Sequence, residues 1–145
     1  MIGAMEALAS QFWGVGLVVV AVAALILFWG IARRPDFIRL PRSRRFRRVI
    51  APGLSVAVAI NRLRRLGRPY QLYQVDEARG VLVIMDGPTL VSLGNFYPLY
   101  IDPTVQGVQI QCSVVPRIPI PGLTGARRLA TIQRAVAHAL DGIAV

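Results

Sequence analysis

The feature that most constrains this chain is an uncharged run of 21 residues from Phe12 to Ala32, made mostly of valine, alanine, leucine and isoleucine. At a rise of about 1.5 Å per residue, a helix of this length is roughly 31 Å long, which matches a bilayer core of about 30 Å. The run is apolar on every side, and a domain built from the remaining residues is too small to surround it. We therefore predict a transmembrane helix over residues 12–32, preceded by a short extracytoplasmic N-terminus over residues 1–11.

A cleaved signal peptide is the main alternative, because the run begins close to the N-terminus. The preceding residues include Glu6 and no basic residue, and the run is longer than the 7–15 residues typical of a signal peptide. Arg33 and Arg34 follow it in place of a small-residue cleavage site. These features favour an uncleaved anchor, in which Trp13 and Trp29 lie roughly 24 Å apart as anchors at the two membrane interfaces.

One face of the predicted span carries small residues, since Gly16, Ala23 and Gly30 recur every seven positions. In lipid, small residues on one helix face allow a second helix to approach closely and favour association. Glycine and alanine are also common in membrane spans for no such reason. Both interpretations of this helix-packing face stay open at the level of sequence.

Most of the positive charge follows the apolar run. The whole chain has 17 basic residues, all arginine, against 7 acidic ones, a net charge of +10. Residues 33–48 hold eight of the arginines and only Asp36, a local net charge of +7; the eight are Arg33, Arg34, Arg39, Arg42, Arg44, Arg45, Arg47 and Arg48. By the positive-inside rule, residues 33–52 form a basic juxtamembrane linker and the C-terminal domain is cytoplasmic.

Three roles are consistent with this arginine cluster. It can simply set topology, it can bind anionic lipid headgroups or an acidic partner, or it can bind the phosphates of a nucleic acid. Phe37, Ile38, Leu40 and Phe46 are interleaved with the arginines, which suits a lipid interface. No nucleic-acid-binding signature accompanies the cluster, so sequence-specific recognition of DNA or RNA is not expected.

Residues 53–145 have the pattern of a small α+β domain in the order α-β-β-β-β-α. Helical spacing predicts an amphipathic helix over Leu54–Leu66 and a last helix that Thr124 caps and Gly142 ends. Arg127, Arg128 and Arg134 fall on the polar side of this last helix. Between them, 70–75 and 81–85 read as a hairpin, and 97–101 and 108–115 as a second strand pair. The alternation over 108–115 indicates an antiparallel sheet with one covered face, against which we expect both helices to pack. Pro116–Gly122 is predicted to be a stiff extended connector, and the alternative is a ligand-like polyproline surface.

The inventory of reactive groups is thin. A single cysteine and a single histidine exclude a disulfide framework and a Cys/His zinc site, and no metal or cofactor is expected. His138 lies near the end of the last helix, and Cys112 falls on the apolar side of its strand, where a core role is expected. No phosphate-binding, dinucleotide-binding, zinc-protease or nucleophile-elbow motif occurs. We therefore expect no enzymatic activity.

The aromatic residues of the hairpin region offer a candidate protein interface. Aromatic side chains with polar tips are favoured anchors in such interfaces. The alternative is that these rings fill the sheet. The five residues are Tyr70, Tyr73, Phe96, Tyr97 and Tyr100.

Together these features predict a single-span accessory, assembly or scaffolding subunit of a larger membrane protein complex, acting through protein and lipid contacts. Its expected partners are the lipid bilayer with its anionic headgroups and another membrane protein complex, with a homo-oligomer left open. The alternative is a binding module that uses the cluster from Arg33 to Arg48 for anionic lipid or nucleic acid.

Overall fold

The computed structural model describes residues 2–32, 36–38, 42–87, 94–117 and 125–145. The chain divides into two compact units, Met1–Arg34 and Pro35–Val145. Among the described residues, the first unit consists of one helix, and the second of an antiparallel sheet with two helices.

Helix α1 (Ile2–Ala32) is 31 residues long, and its central side chains are exposed. Large apolar side chains from Val15 to Trp29 show between 43% and 73% of their surface. The predicted span 12–32 also includes 12, 13, 30 and 31, whose side chains lie outside those that are described. Within the described part of the chain, no helix combines the length and the apolar character needed to cross a membrane.

The second unit contains seven strands and two helices among its described residues. They are β1 (Arg47–Pro52), α2 (Val56–Arg64), β2 (Tyr70–Asp76), β3 (Val81–Asp86), β4 (Asn95–Thr104), β5 (Gly107–Cys112), β6 (Val115–Pro116), α3 (Gly125–Leu140) and β7 (Ile143–Ala144). Every paired neighbour is antiparallel, and the strands lie in the order β2-β3-β4-β5-β1-β7, with β6 beside β4. The predicted small α+β domain with an antiparallel sheet is therefore confirmed.

Both helices pack on one face of the sheet, as the sequence predicts. Their apolar sides meet the inward residues of the central strands in the main core, with Leu63 of α2 and Val136 of α3 fully buried. This burial follows from the helical spacing of apolar residues in α2 and α3 and from period-two alternation in β5. We call this the helical face of the sheet.

The opposite face carries a smaller apolar cluster. Phe37 and Tyr100 are buried in it together with Val81, Val83 and Phe96. The backbone N–H of Phe37 donates a hydrogen bond to the side-chain oxygen of Gln74, 3.1 Å away. Residues 36–38, predicted as part of a linker, thus pack directly on this second face.

The predicted element order α-β-β-β-β-α is incomplete, because the structure has three further strands. The assignment of 33–52 to a linker is corrected by β1, which lies between β5 and β7. Arg47 and Arg48 concealed this strand, since only Val49, Ile50 and Ala51 give it a β-like run. Strands β6 and β7, each of two residues, are too short to produce a periodic signal.

The hairpin from 70 to 86 is confirmed as β2 and β3. Their turn requires Gly80, whose φ of +62° lies in the left-handed region and whose Cα faces the Ile101 carbonyl. In the second strand pair, β4 continues through Thr104, beyond the predicted end at 101, so the turn before β5 consists of Val105 and Gln106. Most of the predicted connector, 118–122, and the predicted cap Thr124 lie outside the described residues.

Candidate interaction surface

The predicted arginine cluster is only partly within the described residues. Arg33, Arg34 and Arg39 lie outside them, and the other five are Arg42, Arg44, Arg45, Arg47 and Arg48. All five are exposed, and they differ in what each guanidinium contacts.

Arg42 forms an ion pair within the folded unit. Its two terminal nitrogens donate hydrogen bonds to the two carboxylate oxygens of Asp102, each at 2.7 Å. Its guanidinium also lies over the ring of Tyr100, 5.0 Å from the centroid. The hydrogen bonds to Asp102 raise the pKa of Arg42 above its already high ordinary value. Arg42 thus fastens the segment before β1 to the second face of the sheet.

Alternation along β1 sends its two arginines to opposite faces. Val49 and Ala51 point into the main core, so Arg47 shares the helical face, where it donates to the side-chain oxygen of Gln133 at 3.1 Å. Arg48 shares the second face and lies over the ring of Phe46, 5.2 Å from its centroid.

Carboxylates in the described part of the folded unit are engaged elsewhere. Five form ion pairs, which are Asp76 with Arg79, Glu77 with Arg64, Asp86 with Arg128, Asp102 with Arg42, and Asp141 with Arg62. The sixth, Asp36, accepts a hydrogen bond from the backbone of Ile38. Of the five described arginines of the cluster, Arg42 is thus paired with a carboxylate and Arg47 bonds an amide, while Arg44, Arg45 and Arg48 have no carboxylate in the ion pairs of the described residues.

The candidate aromatic interface is largely internal in this structure. Phe37 packs against Phe96, with 4.9 Å between ring centroids, and edge-on against Tyr73 at 6.2 Å. Phe96, Tyr97 and Tyr100 are buried, so their rings contact the same domain and are not presented at its surface. Tyr70 and Tyr73 are half-buried and remain the accessible members of the predicted set.

A buried polar centre around Asp86 was not predicted from the sequence. The Asp86 carboxylate accepts hydrogen bonds from the Tyr97 hydroxyl and from the Arg128 guanidinium, both at 2.7 Å. The backbone and side-chain nitrogens of Asn95 donate to it as well. Burial, together with the hydrogen bond to Asp86, raises the pKa of Tyr97 well above its usual range. The centre joins the ends of β3 and β4 to α3.

The sequence around Asp86 gave no clear signal for this role. Asp86-Gly87-Pro88 has the composition of a turn, and Arg128 falls on the predicted polar side of its helix. A long guanidinium can lie along a helix and still reach a buried carboxylate, which the spacing of residues alone does not reveal.

The two reactive side chains singled out from the sequence are separated from this centre. Cys112 is fully buried on the helical face, and burial raises the pKa of its thiol to about 12. His138 is exposed in the last turn of α3. Cys112 thus has the core environment expected from its strand alternation. In the described ranges, no group of three or more metal-ligating side chains comes together.

The predicted features of the apolar run fall within α1. Trp29 is exposed, while the side chain of Trp13 and position 30 lie outside those described. Gly16 and Ala23 are exposed on the helix surface, with open space beside Gly16. Comparisons of the chain with family models, with curated proteins and with solved structures found no match.

Proposed function

We propose that this chain is a membrane-anchored, non-enzymatic accessory, assembly or scaffolding subunit of a larger membrane protein complex. The observation that carries the proposal is the adjacency, along the chain, of the uncharged, mostly apolar run 12–32 and a group of arginines without carboxylate partners. The helix supplies an anchor, and the arginines supply a surface for anionic headgroups. The folded unit then acts by contact with lipid and protein.

Membrane insertion of α1 is supported by the chemistry of its surface. Side chains such as Leu25 and Phe28 are more than two-thirds exposed, and no charged residue occurs from 7 to 32. Leaving so many large apolar groups in water is unfavourable by about 25 cal/mol per Å². The run 12–32 has the length needed for a span.

Orientation with the folded unit in the cytoplasm is supported by charge asymmetry. The residues before the run carry only Glu6, whereas Arg33 and Arg34 follow it directly. A fusion of the full chain to a fluorescent protein at its C-terminus should fluoresce in a bacterial host, while a periplasmic phosphatase in its place should be inactive. The opposite pair of results would contradict the orientation.

A role as a subunit is supported by the small-residue face of α1 at Gly16, Ala23 and Gly30. Replacing Ala23 with leucine should weaken the association of α1 with a partner helix, because the backbones can no longer approach closely. Ala21→Leu is the matched control, since position 21 lies about 160° around the helix. The measurement is native co-purification in mild detergent. A free monomer for the unmodified chain, or equal losses in both variants, would contradict the proposal.

The alternative function, a nucleic-acid-binding module, has less support. Arg42 is occupied by Asp102 and Arg47 by Gln133, which leaves fewer free guanidinium groups than the sequence suggests. Binding of the full chain to duplex DNA should therefore be weak, with a salt dependence that corresponds to only a few phosphate contacts. Tight binding at 200 mM salt would favour this alternative instead.

A further inference from the structure

One region of the described folded unit groups several exposed apolar side chains with arginines that have no carboxylate partner. Among its described residues, seven large apolar side chains are exposed, and four of these belong to β1, β7 or their flanking residues. Those four are Phe46, Ile50, Ile143 and Val145. The remaining three, Val58, Leu72 and Val105, lie singly on a helix, on the first strand of the sheet order and on a turn.

Strand register places the members of this group side by side. Ile50 lies directly opposite Ile143 in the β1–β7 ladder, and the Val145 N–H donates to the Arg48 carbonyl at 3.0 Å. Arg48 and Ile50 both alternate away from Val49, so they share the face opposite the helices. Cross-strand partners point to the same side, which brings Ile143 onto that face too.

The exposures of Ile143 and Val145, 65% and 68%, are large for apolar residues in a folded domain. Opposite Ile50 and Arg48 on the other side, β5 presents the neutral amides Gln109 and Gln111. No acidic side chain occurs in the described segments 42–52 and 142–145. The nearest acid in sequence, Asp141, is paired with Arg62 of α2.

We propose that this surface, defined by Phe46, Arg48, Ile50, Ile143 and Val145 with the adjoining Arg44 and Arg45, docks on an anionic lipid bilayer. We call it the β1–β7 face. Its guanidinium groups would pair with headgroup phosphates while its apolar side chains enter the upper acyl region. The inference rests on the proposed membrane anchoring and specifies which side of the folded unit meets the lipid.

Charge complementarity selects lipid as the occupant. Arg48 on this face, with the exposed Arg44 and Arg45 shortly before β1 in the chain, adds positive charge to four exposed apolar groups. This combination fits a surface that is both anionic and apolar, which lipid headgroups above acyl chains provide. The sequence also limits the distance, since only residues 33–35 separate Ala32 from Asp36. A fully extended chain of that length covers about 14 Å, so an inserted α1 keeps the folded unit near the headgroups.

The test places an environment-sensitive fluorophore on this face in the full-length chain. The label is attached to a cysteine introduced as Ile143→Cys, with Val58→Cys on α2 as the matched control; native Cys112 is fully buried and does not compete for the reagent. The protein is reconstituted into vesicles of phosphatidylcholine, with or without 30% phosphatidylglycerol, that carry spin-labelled quencher lipids. We expect quenching at position 143 in the anionic vesicles and little at position 58.

Removing the positive charge should release the face. Replacing Arg44, Arg45 and Arg48 by glutamine in one triple variant should lower the ratio of docked to undocked protein. The expected decrease is about fivefold per arginine, or roughly 100-fold in all. Arg65, Arg68 and Arg127 replaced together by glutamine serve as the control with the same change in net charge. Equal effects from both triple variants would show a non-specific response to net charge and would overturn the assignment.

Quenching of Trp29 in the same vesicles, in a chain that also carries Trp13→Phe so that Trp29 is its one tryptophan, separates this inference from the function on which it rests. Quenched Trp29 with an unquenched label at 143 would refute the β1–β7 face and leave the anchor intact. An unquenched Trp29 would refute both. If the protein is dimeric in neutral detergent micelles and the label at 143 is already shielded from solvent there, the face would instead bind a second copy of this chain. A label that responds to duplex DNA and not to lipid charge would assign it to nucleic acid.

Discussion

Asp86 gives the sharpest test of what holds the folded unit together. Its carboxylate is 6% exposed and accepts hydrogen bonds from Tyr97, Arg128 and Asn95. Asp86→Asn keeps the volume of the side chain but removes the charge and puts an NH₂ group in place of one carboxylate oxygen. If the remaining amide oxygen stays with Asn95, the new NH₂ faces the Arg128 guanidinium, itself only a donor.

The expected loss follows from burial. Removing one partner of a fully buried ion pair costs about 3–5 kcal/mol, because the other charge stays desolvated. Arg128 is 32% exposed and can recover part of its hydration, which lowers the expected loss. We therefore expect Asp86→Asn to reduce the free energy of unfolding by about 2–4 kcal/mol, with each hydrogen bond to the charge worth about 1.5–3 kcal/mol.

Equilibrium urea unfolding of the full chain in mild detergent measures this loss. All four tyrosines lie in the folded unit and both tryptophans lie in α1, so the tyrosine band of near-ultraviolet circular dichroism monitors the sheet domain. Glu77→Gln is the matched control, because its pair with Arg64 is exposed and pairs of this kind contribute about 0–1 kcal/mol. A loss below 1 kcal/mol for Asp86→Asn, or equal losses for both variants, would refute the structural role of the buried centre.

Three further outcomes are expected. Gly80→Ala should lower the free energy of unfolding by at least about 1 kcal/mol in the urea titration, because Gly80 has a positive φ and an added Cβ would collide with the Ile101 carbonyl. Gly67→Ala is the control, since an added Cβ there meets open space and should have little effect. Equal effects of the two substitutions would contradict this prediction. Phe37→Ala should cost about 3–5 kcal/mol by the same method and Phe46→Ala much less, since Phe37 is buried and Phe46 exposed; similar losses would mean that Phe37 is not packed on the sheet. Cys112 should resist thiol reagents in the native state at pH 8 and react after unfolding, and rapid native reaction would contradict its burial.

Alkaline pH should weaken the fold through the same thiol. Burial raises the pKa of Cys112 from 9.0 to about 12, so between these values the unfolded chain releases a proton that the folded chain retains. The free energy of unfolding then falls as pH rises, by about 1.4 kcal/mol per pH unit, and this contribution is fully present below pH 9. Cys112→Ala should flatten the decline between pH 9 and 10 in the urea titration, and an unchanged slope would contradict the assignment.

The regular parts of the fold could be predicted because their periodicity is strong. The apolar spacing in α2 and α3 and the alternation from Val108 to Cys112 specify which side faces the core. Strand β1 could not be found in this way, because two arginines precede its apolar residues and its partners are distant in sequence. It is stabilised by ladders to β5 and β7, which are visible only in the folded chain.

The basic and apolar character of the candidate surface could be predicted from the sequence, but the residues that form it could not. Arg42 belongs to the predicted arginine cluster, yet it pairs with Asp102, sixty residues later in the chain, and so is not among the arginines without a carboxylate partner. Ile143 and Val145 follow the predicted stop at Gly142 and lack any pattern of their own. They join Arg48 and Ile50 through strand register, which sequence spacing does not encode.

Membrane anchoring by α1 is tested most directly by the depth of three positions along the helix. Trp13 and Trp29 are the two tryptophans of the chain. Three variants are made with a single tryptophan each, at position 13, at position 29, or at position 22 by Val22→Trp. Each variant then reports the membrane depth of one position. In vesicles with quenchers at known depths, positions 13 and 29 should respond to shallow quenchers and position 22 to deep ones. Equal shallow depths at all three positions, or no quenching, would contradict a transmembrane anchor.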